Sequence, residues 1–84
     1  MRRSGTVAET NPGRGMVGIK TEDGFTIIEL LGECDLDVGD KVAWSSGYDL
    51  GSETYENLTK RTRSRVYVQN HSVSAGGLRV QLLL

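Results

Sequence analysis

Apolar and polar residues alternate along this chain in short runs, and turn-forming residues separate the runs. From Gly15 to Thr21, Val17 and Ile19 fall on one side of an extended segment and Met16, Gly18 and Lys20 on the other, because successive side chains of a strand point to opposite faces. Glu22-Asp23-Gly24 is a tight-turn sequence between two apolar runs and predicts a hairpin. Phe25 to Leu31 is the strongest strand in the chain, rich in the β-branched and aromatic residues that suit a pleated surface. Its nearly continuous apolar run predicts at least partial burial on both faces. Thr6 to Ala8 is a short opening strand, and Asn11-Pro12-Gly13 is turn chemistry.

The second half is less regular. Asp37-Val38-Gly39-Asp40 reads as a turn into a strand from Lys41 to Trp44, with Val42 and Trp44 on one face and Trp44 as a core anchor. Ser45 to Gly51 is a loop, and Glu53 to Leu58 fits either a short strand or one helical turn. Arg65 to Gln69 alternates strictly and is a strand. Ser72 to Gly77 reads as a small-residue loop, with Leu78 to Leu84 as a last strand. No stretch of ten residues carries a helical period. The 84 residues therefore predict one domain, 1–84, of the all-β class. Short strands with turn signals every eight to twelve residues argue for a barrel or a sandwich; a single open sheet would leave an apolar face wet, and a small closed or partly open β-barrel of the oligonucleotide/oligosaccharide-binding (OB) type is expected, with five to six strands.

Charge is nearly balanced, ten Lys and Arg against eleven Asp and Glu, so any attraction to a polyanion must come from a local patch. Lys60 to Arg65 supplies one, with four cations in six residues. Such a run is either a solvated turn or a phosphate-contacting loop. On the second reading, Arg14, Lys20, Lys60, Arg61, Arg63 and Arg65 contact single-stranded nucleic acid, RNA ahead of DNA, and Tyr55 or Tyr67 stacks on a base. Arg2 and Arg3 would extend the patch if they share its side.

Catalytic chemistry finds no foothold. The one histidine, His71, sits in a polar segment without an orienting acid or nucleophile motif. The one cysteine, Cys34, lies between Glu33 and Asp35, whose charges oppose thiolate formation. Glu33, Asp35, Asp37 and Asp40 lack calcium-loop spacing, one Cys and one His cannot make a zinc site, and no phosphate-binding glycine loop is present. No enzyme activity, cofactor or metal is expected. The single cysteine and the absence of an apolar leader or span predict a cytoplasmic protein with no membrane contact, in which Asn57-Leu58-Thr59 and Asn70-His71-Ser72 are chance glycosylation patterns.

Gly5-Thr6-Val7, Asn11 and Arg14-Gly15-Met16-Val17-Gly18-Ile19-Lys20-Thr21-Glu22-Asp23-Gly24 resemble the opening of cold-shock domains, without gaps, and Leu36 to Val42 resembles the turn before that family's fourth strand. The resemblance covers about the first 45 residues and implies the barrel. It does not extend to the family's base-stacking side chains, whose positions fall on Glu9, Met16, Gly18, Ile27 and Glu29. It also implies that Met16, Phe25 and Ile27 lie on the outward, ligand-binding face of the sheet. These apolar residues call for cover by the last strand, by the Tyr48 to Leu58 segment or by a partner protein. The second functional expectation is thus a protein-interaction or regulatory barrel that has lost nucleic-acid binding.

Overall fold

Short extended segments separated by turns form six strands in the computed structural model, which describes residues 3–32, 36–45 and 50–82. They are β1 (Arg3–Asn11), β2 (Met16–Thr21), β3 (Gly24–Leu30), β4 (Lys41–Trp44), β5 (Gly51–Asn57) and β6 (Thr62–Val73), followed by one helix, α1 (Ala75–Gln81). Every pairing is antiparallel, and the order β1-β2-β3-β6-β5-β4 closes when β4 returns to β1. The all-β class and the small closed barrel are as the alternation predicts, with six strands.

The inward positions fill the barrel. Val7, Val17, Ile19, Ile28, Leu36, Val42, Trp44, Tyr55, Val66 and Val68 form one buried cluster. Trp44 and Tyr55 stack in it with ring centroids 4.5 Å apart and planes 3° from parallel. The segment open to two readings is resolved as β5: Tyr55 lies opposite Ser64 and Asn57 opposite Thr62, and all but Thr62 are buried. The opening strand is longer than predicted and runs through Asn11, so the turn begins at Pro12.

Ala8 is an extra residue in the β1–β2 register. The backbone beside it is used elsewhere: the Val7 N–H donates to the Asp40 carbonyl and the Val7 carbonyl accepts from Gly39, each at 2.8 Å. A polar knot forms at this end of the barrel. The Asn57 side-chain amide donates to Asp40 at 2.8 Å, while its carbonyl accepts the Thr59 and Lys60 N–H groups and shapes the β5–β6 hairpin. Lys60 reaches both Asp37 and Asp40. Hydrogen bonds from the Asp37 backbone and Asn57, together with the Lys60 charge, hold the Asp40 carboxyl below its ordinary pKa. A carboxyl depressed in the folded state adds stability above its unfolded pKa of about 3.9, and that stability is lost as pH falls through the folded value. The melting temperature should therefore drop as pH is lowered past about 4. In Asp40→Asn this drop should be shallower; an equally steep fall in the variant would assign the acid sensitivity to other carboxylates.

The end of the chain departs from expectation. Residues 78–82 are not a strand; Ala75–Gln81 is helical, and Ser72 and Val73 finish β6 instead of starting a loop. The Ser74 side chain accepts the Gly77 N–H at 3.2 Å and caps the helix. Four-residue spacing then puts Leu78 and Leu82 on one helical face, where both are buried, while Val80 remains 72% exposed. A strand would have grouped Leu78 with Val80 and Leu82.

Helix α1 lies on the outer face of β1, β2 and β3. Leu78 and Leu82 join Ile27 and Val73, with Met16 and Phe25 packed against them. Gly18 makes the seat, since a Cβ there would stand 2.5 Å from a Leu78 methyl. Arg79 pairs with Glu9 at 2.8 Å, and the Asn11 amide donates to the Leu82 carbonyl at 2.7 Å. The cover expected over Met16, Phe25 and Ile27 is supplied by the chain itself, as a helix. A partner protein approaching those three residues would meet α1: Ile27 is completely buried, and Met16 and Phe25 are half-buried.

Candidate nucleic-acid interface

With the face over β1 to β3 occupied, the exposed sheet surface lies on β5 and β6. From Arg63 to Gln69 strand β6 alternates: Ser64, Val66 and Val68 point inward, and Arg63, Arg65, Tyr67 and Gln69 are exposed. Residues two apart on a strand stand about 6.6–6.8 Å from one another, so the two arginines and the tyrosine form an evenly spaced row. Cross-strand pairing sets Glu56, Thr54 and Ser52 of β5 beside Arg63, Arg65 and Tyr67. On the β3 side, Glu29 lies opposite Tyr67.

Arg61 continues the row into the hairpin. Its φ is +59°, a left-handed conformation that glycine adopts without strain and arginine does not. A crevice of about 360 Å³ opens beside Arg61 and Arg63, lined also by Glu56, Asn57, Leu58 and Thr62. Arg61, Arg63 and Arg65 make no ion pair with any described residue.

The residues predicted from sequence divide into groups. Arg61, Arg63, Arg65 and Tyr67 come together on one exposed line. Arg14 is exposed in the β1–β2 turn; the Leu30 N–H bonds to Gly15 and the Leu31 N–H to Arg65, so this turn lies at the same end of the barrel as the arginines. Lys60 is engaged with Asp37 and Asp40 and serves the polar knot. Lys20 is exposed on β2, between Thr6 and Phe25, away from the row. Tyr55 is withdrawn from any ligand: it is 0% exposed, and burial pushes its phenol pKa up, with the Glu53 charge adding to the effect.

Among the described residues no group of three or more His, Cys, Asp or Glu side chains could hold a metal ion. His71 bonds to the Thr26 hydroxyl at 2.9 Å. Cys34 with its acidic neighbours, Arg2 and Tyr48 lie outside the described residues. No described helix is long and apolar enough to cross a membrane. Arg3 pairs with Asp23 at the far end of the barrel and does not extend the row.

Sequence reasoning missed two neighbours of the row, Glu29 and Gln69, whose side chains bond at 3.0 Å. They are distant in sequence, and only the β3–β6 register joins them.

Comparison with protein-family models, with curated proteins and with solved structures returned no match. The functional reading therefore rests on the residues themselves.

Proposed function

We propose that this domain is a non-enzymatic binding module of OB type, related in design to cold-shock domains, that holds single-stranded nucleic acid, RNA ahead of DNA, along the outer face of β6. The observation that carries this reading is the row Arg61, Arg63, Arg65 and Tyr67, three cations without ion-pair partners among the described residues, in line with a 44% exposed aromatic ring. Cations at strand spacing meet successive phosphates of an extended chain, and the ring accepts an unstacked base. A continuous duplex would keep its bases from Tyr67. The conformation of Arg61 supports the same reading: an arginine held where glycine is easier suggests that its side chain is wanted there. Single-stranded RNA would be met in the cytoplasm, the compartment that fits a chain with one cysteine.

Fluorescence anisotropy with a labelled single-stranded oligonucleotide tests the proposal. Affinity should fall as salt rises, with each phosphate contact adding about 0.7 to the slope of log K against log salt. Replacing Arg61, Arg63 and Arg65 together by alanine should lower that slope by about 2. Arg61→Gly separates fold from function, because it should raise the melting temperature while weakening binding. A triple variant that binds as tightly as the parent, with an unchanged slope, would remove β6 as the site.

A further inference from the structure

We infer that Tyr67, Glu29 and Gln69 form a base-selecting site that prefers guanine. The inference rests on the binding mode proposed above and names the base that mode would choose. Tyr67 and Glu29 are direct cross-strand partners on the outer face, so their Cβ atoms lie about 4.5–5.5 Å apart. A base lying on the Tyr67 ring thus has one edge beside the Glu29 carboxylate. Gln69, two residues on from Tyr67 and on the same face, donates to one carboxylate oxygen of Glu29 and steadies the group. Glu29 has no other hydrogen bond or ion pair with a described residue. On its other side Glu29 lies opposite Met16 of β2, which packs against the cluster beneath α1.

A carboxylate is out of place on a phosphate path, where it repels. Beside a base it is an acceptor only, and it discriminates by what the base edge donates. Guanine presents two adjacent donors, N1–H and the 2-amino group, which match the two oxygens of a carboxylate. Adenine and cytosine present one amino donor beside a ring-nitrogen acceptor, and uracil presents one N–H between two carbonyls. Each of these three sets a lone pair against the carboxylate. The row is also ordered for this division of labour. Its cations lie toward the hairpin, and Tyr67 with Glu29 at its side comes next beyond Arg65.

The test uses labelled pentanucleotides UUGUU, UUAUU, UUCUU and UUUUU on the full chain at low salt, read by anisotropy. UUGUU should bind about tenfold more tightly than the other three. Inosine in place of guanine lacks the 2-amino group and should lose most of that advantage. In Glu29→Gln, which offers one acceptor and one donor, the preference should vanish while binding to UUUUU is retained or strengthened. Equal affinity for all four sequences, with dependence on Arg63 and Arg65 intact, would overturn the guanine site and leave the β6 interface standing. A guanine preference that survives Glu29→Gln would also overturn it. Failure of every oligonucleotide to bind would overturn both.

Discussion

Tyr55→Ala should bring the barrel to the edge of unfolding. Tyr55 is completely buried, and its ring stacks flat on Trp44 across the β4–β5 pair. Truncating a buried aromatic costs about 3–5 kcal/mol through lost transfer energy and the cavity left behind. A chain of 84 residues has roughly 4–13 kcal/mol of total stability, so that loss is a large share. Tyr55→Phe should act in the opposite direction. The phenol oxygen is buried and has no hydrogen-bond partner among the described residues, so removing it should be neutral or stabilising by about 1 kcal/mol. Urea denaturation of the two variants beside the parent checks both signs. Tyr55→Phe costing more than it gains would show that the hydroxyl has a partner. Neither folded variant should lose affinity for nucleic acid, whereas Tyr67→Ala should lose about 1–3 kcal/mol of binding.

Gly5→Ala is the second large effect, and it comes from one methyl group. A Cβ at Gly5 would lie 2.5 Å from the Lys20 carbonyl oxygen and 2.6 Å from an Ile19 methyl. The carbonyl belongs to the backbone of β2, and moving it disturbs the β1–β2 pairing beside the Thr6–Lys20 and Val7–Ile19 partners. Overpacking against an immobile neighbour costs typically about 1–3 kcal/mol and sometimes more; this clash belongs at the upper end. The exposed neighbour Ser4 is the control, and Ser4→Ala should stay within about 0.5 kcal/mol of the parent. A Gly5→Ala protein with the parent's denaturation midpoint would mean that β1 and β2 are not held as close as their register requires.

These two residues also mark how far the sequence could be read. Gly5 sat in a recognisable pattern, and the strands from Met16 to Leu30 and from Lys41 to Trp44 followed from alternation and turn residues. Tyr55 did not declare its direction. It is the one apolar residue in Gly-Ser-Glu-Thr-Tyr-Glu-Asn, so no alternation exists to show which face is buried until Ser64 and Asn57 fix the register. The C-terminal helix was hidden for a different reason. Seven residues containing Gly76 and Gly77 have poor helical propensity, and a leucine-rich end resembles a strand. Only the Ser74 cap and the four-residue spacing of Leu78 and Leu82 pointed the other way. At the candidate site, Arg63, Arg65 and Tyr67 were legible as one face of an alternating segment, because a period of two needs no tertiary knowledge. Their neighbour Glu29 was not, since it reaches Tyr67 only through the closure of β3 on β6.

Arg63 and Arg65 sit on the longest described strand, which pairs with β5 from Thr62 to Val68 and with β3 from Val66 to Val73. A ligand arriving there meets a main chain already fixed, so the entropic penalty of association falls on a few side-chain torsions and on the ligand itself. Amide protons along the doubly paired stretch from Val66 to Val68 should be among the slowest to exchange before the ligand arrives, and equally slow afterwards.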